Sequence, residues 1–384
     1  MEIYLDNAAT TEVYPEVVSL MTEIMRKDFG NPSSMHRKGV EAEKYLKEAS
    51  ARTARVLKTE EKNIYFTSGG TESNNWALKG AAWANRRAGM HIITTAVEHA
   101  AVSEPLKFLE GQGFEITRIP VDSTGTADPE DIRKAVREDT ILVSVMAVNN
   151  EIGSIQPLAE IGHAVKEANP HTLFHVDAIQ AFAKLPVYPA KDKIDMLSAS
   201  GHKIHGPKGS GILYIGKGVK IDPLILGGGQ QKGYRSGTDN VPGAAGMALA
   251  AEMMYDHMEE NAARMTAVRE RLINRLSELD NVIIHGQKLP GGAPHIVNAS
   301  FIGVRSEVLL HSLEEKEIYV SSGSACSSHK RAGSATLTAC GCPKAEIESS
   351  VRFSFCETTG PDDIDRTAEA LKELLPVLRR YSRH

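Results

Sequence analysis

Short apolar runs recur along the first two thirds of the chain, and each is followed by a stretch of good helix formers. Asn63-Ile64-Tyr65-Phe66-Thr67 is rich in β-formers and leads into Ser68-Gly69-Gly70-Thr71-Glu72-Ser73, then a helical stretch to Ala84. His91-Ile92-Ile93-Thr94-Thr95 predicts the next strand, followed by Glu98-His99 and a helix carrying Leu106 and Leu109. Residues 115–121 read as a strand and 129–136 as a helix. Residues 141–148 are almost wholly apolar, the pattern of a strand buried on both faces. Two more such runs follow. Leu173-Phe174-His175-Val176 is closed by Asp177, and residues 194–199 run into Ser200-Gly201-His202-Lys203-Ile204-His205-Gly206-Pro207-Lys208. Strands separated by helices predict an α/β domain, a mostly parallel sheet flanked by helices on both faces.

After residue 240 the pattern changes. Residues 244–279 contain no proline and predict one long helix bridging the large domain into a smaller one. A further helix is predicted over 40–57, and the last starts at Pro361-Asp362-Asp363, with proline and acids in its first turn, and runs to about Tyr381. Between these C-terminal helices, residues 296–301, 318–321 and 351–355 predict strands of a smaller α+β unit. The expected boundaries are 15–250 for the large domain, with 1–14 and 251–384 forming the small one. Residues 327–341, rich in Ser, Ala, Gly and Thr, predict a mobile loop.

Composition narrows the class without deciding it. With 384 residues, 41% hydrophobic and 24% charged, the chain has the make-up of a soluble globular enzyme with a large core. A net charge of -5 offers no basic surface for direct nucleic-acid binding. Met1-Glu2-Ile3-Tyr4-Leu5-Asp6 has neither the basic nor the apolar region of a secretory signal, and no apolar run is long enough to cross a bilayer. All four cysteines lie between Cys326 and Cys356, which points to thiols in a reducing cytoplasm rather than a disulfide scaffold.

The chemistry is carried by strand ends. Asp177 and Lys203 close successive apolar runs. A lysine able to form a Schiff base, with an aspartate that keeps a pyridine nitrogen protonated, is what pyridoxal phosphate requires. Ser68-Gly69-Gly70-Thr71, between a strand and a helix, suits an anion. Neither a dinucleotide fingerprint nor a nucleoside-triphosphate loop is present, so with Ser200 and His202 nearby a single phosphate monoester is the better ligand. His99 follows the 91–95 strand, Asn150 the 141–148 strand, and Gln180 lies three past Asp177, so these loops are expected to converge at the carboxyl ends of the strands. An imidazole there stacks on a pyridine face and shuttles a proton; an amide at Asn150 or Gln180 bonds the ring's phenolic oxygen.

Cys326 sits in Ser321-Ser322-Gly323-Ser324-Ala325-Cys326-Ser327-Ser328, among small neighbours that let a nucleophilic thiolate be exposed. In Val351-Arg352-Phe353-Ser354-Phe355, period two sets Arg352 and Ser354 opposite three apolar side chains, so the arginine is placed to fork a carboxylate. Cys340, Cys342 and Cys356 are read first as packing residues. A sulfur relay or a disulfide with Cys326 comes next. Metal ligation comes last, because two close cysteines and one distant one do not complete a four-ligand site, and no metal is expected.

Taken in order, Tyr4 to Thr11, Gly30 to His36, Thr67 to Asn74, Val97 to His99, Val148 to Gly153, His175 to Ala178, Ser200 to Gly209, Arg235 to Thr238, Ser321 to Ser328 and Val351 to Ser354 resemble the cysteine desulfurases of the NifS/IscS-like group, within the class V aminotransferases. The resemblance covers nearly the whole chain. It implies fold type I of the pyridoxal-phosphate-dependent transferases and conversion of L-cysteine to L-alanine, with sulfur passing to Cys326 as a persulfide for iron–sulfur assembly or thiolation. It implies Lys203 as the lysine that binds the cofactor and moves the Cα proton, Asp177 at the pyridine nitrogen, Gln180 at the phenolic oxygen and His99 on the ring. Gly70, Thr71, Ser200 and His202 are expected at the phosphate, with Thr238 reaching the phosphate of a second subunit in a homodimer. Asn150 and Arg352 are expected at the substrate, and a sulfur-acceptor protein as partner. Selenocysteine lyase and class V aminotransferase are the alternative activities; a sulfur carrier with a vestigial cofactor site is a third reading.

Overall fold

The computed structural model describes residues 2–322 and 333–381. Among the described residues the largest sheet has seven strands, in the order Ile64–Thr67, Gly211–Ile215, Met196–Ser200, Leu173–Asp177, Thr140–Met146, His91–Thr95, Glu115–Ile119. Only Gly211–Ile215 runs against its neighbours. The continuous apolar runs are explained by burial on both faces. Ile92, Leu142, Met196 and Leu213 enter one apolar layer, while the adjacent Ile93, Val143, Leu197 and Ile212 enter the other. Because the central strands are parallel, the segments after Thr95, Met146, Asp177 and Ser200 leave from one edge, where such sheets collect ligands.

A second sheet is antiparallel, in the order Ser321–Ser322, Ser350–Ser354, Ile296–Phe301, Val282–His285. Period two holds in its strand Ser350–Ser354. Val351, Phe353 and the following Phe355 join a core with Leu5, Val297, Phe301 and Leu371, and Arg352 faces away from that core to reach Asp6 and Asn150. The N-terminal strand Ile3–Tyr4 pairs in parallel with Ile318–Tyr319. An isolated bridge from Asp6 to Ser354 extends the contact and brings the first residues over the large sheet's ligand edge.

Three expectations are corrected. The span 244–279 is two helices, Val241–Asp256 and Met258–Ser277, broken at His257 (φ -115°, ψ 17°). The first helix is tied to Arg37–Leu57 by Arg55, which meets Asp256 at 2.6 Å and Glu252 at 3.1 Å. The second turns toward the C-terminal helix, where Arg271 meets Asp365 and Arg275 meets Glu369 at 2.6 Å. One straight helix cannot serve both layers. The stretch 318–321 changes sheets at Val320, pairing first with the N-terminal strand and then with Ser350–Ser354. The end of the predicted loop is helical over Ala335–Ala339, because Ser334 caps the Leu337 N–H at 3.0 Å and Leu337 is fully buried.

Candidate active site

A cavity of about 720 Å³ opens where the ligand edge of the large sheet meets Arg352 and the Ser334 segment. Gly70, Thr71, His99, Asn150, Asp177, Gln180, Ser200, His202, Lys203 and Arg352 all line it. Residues from six separate stretches of sequence thus meet, five of them at the strand ends of the large sheet and Arg352 from the antiparallel sheet. Thr238 is exposed and lies outside this lining. Its neighbour Arg235 forks the Glu72 carboxylate at 2.8 and 3.1 Å, which ties that segment to the Gly-rich turn. Cys326 lies outside the described residues.

Lys203 follows strand Met196–Ser200 in a single 3₁₀ turn, and its Nζ donates to the carbonyls of Ala8 and Ala9, both at 2.7 Å. Asp177 ends the neighbouring strand and is fully enclosed. Asn74 donates to one carboxylate oxygen at 2.7 Å and the Ile179 N–H to the other at 3.0 Å. Burial pushes the Asp177 carboxyl above its ordinary value, opposed by those donors and by the nearby His99 and Lys203. His99 caps helix Ala100–Glu110. Its Nδ1 accepts from the Ala101 N–H at 3.1 Å, so a neutral ring carries its proton on Nε2. Burial, with Lys203 adding to it, holds His202 down at about 4, so that imidazole is neutral at physiological pH.

Gly69 and Gly70 open a helical run that extends to Asn85 through a π turn over Trp76–Gly80. Gly69 has φ +150°, a backbone conformation that favours glycine, and a Cβ on Gly70 would come within 2.2 Å of the Ile179 side-chain end, so a side chain there would have to displace Ile179. Arg352 donates to the Asn150 carbonyl at 2.8 Å and to Asp6 at 2.7 Å.

Pyridoxal phosphate fits this site on the chemistry of its donors. A lysine amine and an enclosed carboxylate face one cavity, and the glycine turn, Thr71 and Ser200 adjoin it. Gln180 turns its amide nitrogen to the Ala8 carbonyl at 2.9 Å, while its buried Oε1 has no partner among the described residues. In the same wall, Glu98 accepts from Thr95 at 2.6 Å and from the Met146 N–H at 3.0 Å, and its buried Oε2 likewise has no partner among the described residues. Burial pushes Glu98 up to about 8, so it is mainly protonated at neutral pH.

The sequence reading missed Asp6, Asn74, Glu98 and Glu151, as well as the carbonyls of Ala8 and Ala9. All of these stood inside motifs that carried the resemblance, but nothing in spacing alone assigns them partners. His205, next but one to Lys203, faces elsewhere: it stacks on Tyr14 with centroids 4.4 Å apart and lies 3.2 Å from Glu357.

A parallel sheet that presents a lysine and an enclosed aspartate at adjoining strand ends, over a glycine-turned helix, defines a pyridoxal-phosphate-dependent enzyme of fold type I. Comparison with known proteins agrees. The Aminotransferase class-V family profile matches residues 3–367. The cysteine desulfurase IscS of Methanosarcina thermophila is 46% identical over 380 residues, covering 99% of this chain and 93% of that protein. The cysteine desulfurase IscS of Dictyoglomus turgidum is 43% identical over 382 residues, covering 99% and 96%. Among solved structures, a NifS-like protein superposes with a TM-score of 0.93 at 40% identity, covering 98% of this chain and all of that one. The chain belongs to the class V aminotransferases and, within them, to the pyridoxal-phosphate-dependent cysteine desulfurases.

Proposed function

We propose that the cavity residues divide the desulfurase reaction as follows. Lys203 holds the cofactor's aldehyde carbon, Asp177 its pyridine nitrogen and Gln180 its phenolic oxygen, with His99 stacked on the ring. Gly70, Thr71, Ser200 and His202 hold the phosphate, and Thr238 of a second copy completes that cradle in a homodimer. When bound, pyridoxal phosphate supplies an electron sink for the charge left at the substrate's Cα. Arg352 and Asn150 orient L-cysteine by its carboxylate, which aims the Cα–H at the Lys203 amine. Lys203 takes that proton and returns one to the product. The Cys326 thiolate attacks the substrate sulfur: a sulfur–sulfur bond forms, the sulfur–Cβ bond breaks, and Cβ gains a proton to leave as alanine. The persulfide on Cys326 is then passed to an acceptor protein, for iron–sulfur assembly or thiolation in a reducing cytoplasm.

The observation that supports this reading best is the convergence of Lys203, Asp177 and Arg352, from three distant stretches of sequence, on one cavity. The test is to add L-cysteine to the purified protein and quantify alanine, sulfide and protein-bound persulfide. Cys326→Ser is expected to keep the cofactor's visible absorbance and to bind cysteine while forming no persulfide. Undiminished sulfur transfer by that variant would overturn the assignment of the nucleophile.

A further inference from the structure

Away from the cavity, Cys342, His285 and Glu346 turn toward one another. Cys342 follows helix Ala335–Ala339, His285 ends the edge strand Val282–His285, and Glu346 lies in helix Lys344–Glu348. The Cys342 Sγ, a His285 ring nitrogen and a Glu346 carboxylate oxygen all fall within 4.8 Å of one another. We propose that these three side chains form a binding site for Zn²⁺, with water completing a tetrahedron.

Geometry and the surrounding hydrogen bonds carry the assignment. Cys342 Sγ lies 3.6 Å from His285 Nδ1. Zinc–sulfur and zinc–nitrogen bonds of about 2.3 and 2.0–2.1 Å, set at a tetrahedral angle, span about 3.6 Å between the two ligand atoms. The other ring nitrogen, Nε2, is 2.6 Å from Ser300 Oγ. Ser300 donates its own proton to the Glu346 carbonyl at 2.7 Å, so toward the ring its oxygen acts as acceptor. The imidazole proton therefore sits on Nε2, and the Nδ1 lone pair faces the thiol. Anchoring of the far nitrogen in this way orients metal-bound histidines.

The donor set selects the ion. One thiolate and one carboxylate with a neutral imidazole carry two negative charges, which a divalent cation cancels. A sulfur donor disfavours Mg²⁺ and Ca²⁺, whereas Zn²⁺ accepts S, N and O together. Binding releases the thiol proton to solvent and involves no redox change. Cys340, the other thiol of the Cys-Gly-Cys segment, approaches Gly125 instead, 3.5 Å from where a Cβ there would stand. Counting cysteines alone hides such a site, because two of its three ligands are not cysteine and His285 lies 57 residues upstream of Cys342. A zinc ion would pin the segment that follows the cavity-facing helix Ala335–Ala339 to the edge of the small sheet.

The test is to incubate the cofactor-loaded protein with ZnCl₂, remove loose metal on a weakly chelating resin, and measure zinc per chain by elemental analysis. Wild type, Cys326→Ser and Cys340→Ser are each expected to retain about one zinc per chain, and Cys342→Ser and His285→Asn less than a tenth of that. Co²⁺ added to the wild type is expected to give a thiolate charge-transfer band and tetrahedral visible bands, a readout that depends on no variant folding. Wild-type protein that retains no zinc and shows no cobalt–thiolate band would reduce the contact to a thiol–imidazole hydrogen bond and overturn the proposal. Retention by Cys342→Ser, or loss by Cys340→Ser, would overturn the donor set.

Discussion

Arg352 donates through one terminal nitrogen to the Asp6 carboxylate at 2.7 Å and through the other to the Asn150 carbonyl at 2.8 Å. Asp6 and Arg352 are 346 positions apart in sequence, and they meet because the N-terminal segment bridges onto strand Ser350–Ser354. The two acceptors fix the plane of the guanidinium, so less ordering remains when a substrate carboxylate binds. Asp6→Asn is therefore expected to raise KM for L-cysteine about tenfold with little change in kcat, and Arg352→Lys, which loses the planar fork, to raise it by about a hundredfold. Steady-state alanine production measures both. An unchanged KM in Asp6→Asn would show that the pair serves the fold alone.

The Asn74 amide donates to the Asp177 carboxylate at 2.7 Å. Replacing it by alanine strips a donor from a fully enclosed carboxylate, a change that costs about 1–3 kcal/mol. The carboxyl then holds its proton more tightly and pairs less well with a pyridine nitrogen. Asn74→Ala is expected to weaken pyridoxal phosphate about tenfold, read by absorbance titration of the cofactor-free protein. Wild-type affinity in that titration would remove Asn74 from the cofactor's supporting shell.

These cases also mark where sequence reading stops. Lys203, Asp177 and Arg352 were legible because each stands at a position that backbone periodicity fixes, either the end of an apolar run or the polar face of an alternating strand. Asn74 and Glu98 were not, since their burial comes from elements that pack against them from elsewhere in the chain. The break at His257 carries no proline or glycine, so it follows from the helix serving two cores rather than from local preference. Likewise, His285 and Cys342 become neighbours only through the register of Val282–His285 against Ile296–Phe301 and the turn after Ala339.

Glu151 clasps the segment that returns from the Cys326 region. Ser334 and Thr336 both donate to its carboxylate, the latter at 3.3 Å, and the Asn149 amide reaches Thr336 at 3.3 Å and the Val97 carbonyl at 3.0 Å. The clasp joins the turn after strand Thr140–Met146 to helix Ala335–Ala339. Glu151→Ala leaves two hydroxyls without their acceptor and frees the helix's first turn. The cofactor's absorbance is expected to stay as in wild type, while single-turnover persulfide formation slows about tenfold, the equivalent of 1.4 kcal/mol. Persulfide formation at the wild-type rate would show that the clasp has no part in presenting the thiol.

Glu98 makes the stability of the fold depend on pH with a definite sign. In the unfolded chain it titrates near 4.5, whereas burial in the native cavity wall pushes it up to about 8. Between those values the native state holds a proton that the unfolded chain has released, so this group's contribution to stability falls as pH rises from about 4.5 to about 8. Lys184 acts in the opposite direction but at higher pH. Burial lowers it from 10.5 to about 7, so its contribution rises with pH only above that point. The buried histidines, His202 among them, also titrate differently in the two states below pH 7, but they do so alike in variant and wild type, so the difference between the two proteins isolates the carboxyl. Glu98→Gln keeps the shape and the acceptor for Thr95 and Met146 but does not ionise. Urea unfolding at pH 5 and 6.5 should show the variant gaining on wild type by on the order of 2 kcal/mol over that interval. A gap between the two proteins that stays constant with pH would mean that Glu98 is ionised in the native state throughout, and that its unpartnered oxygen finds a cation in the cavity.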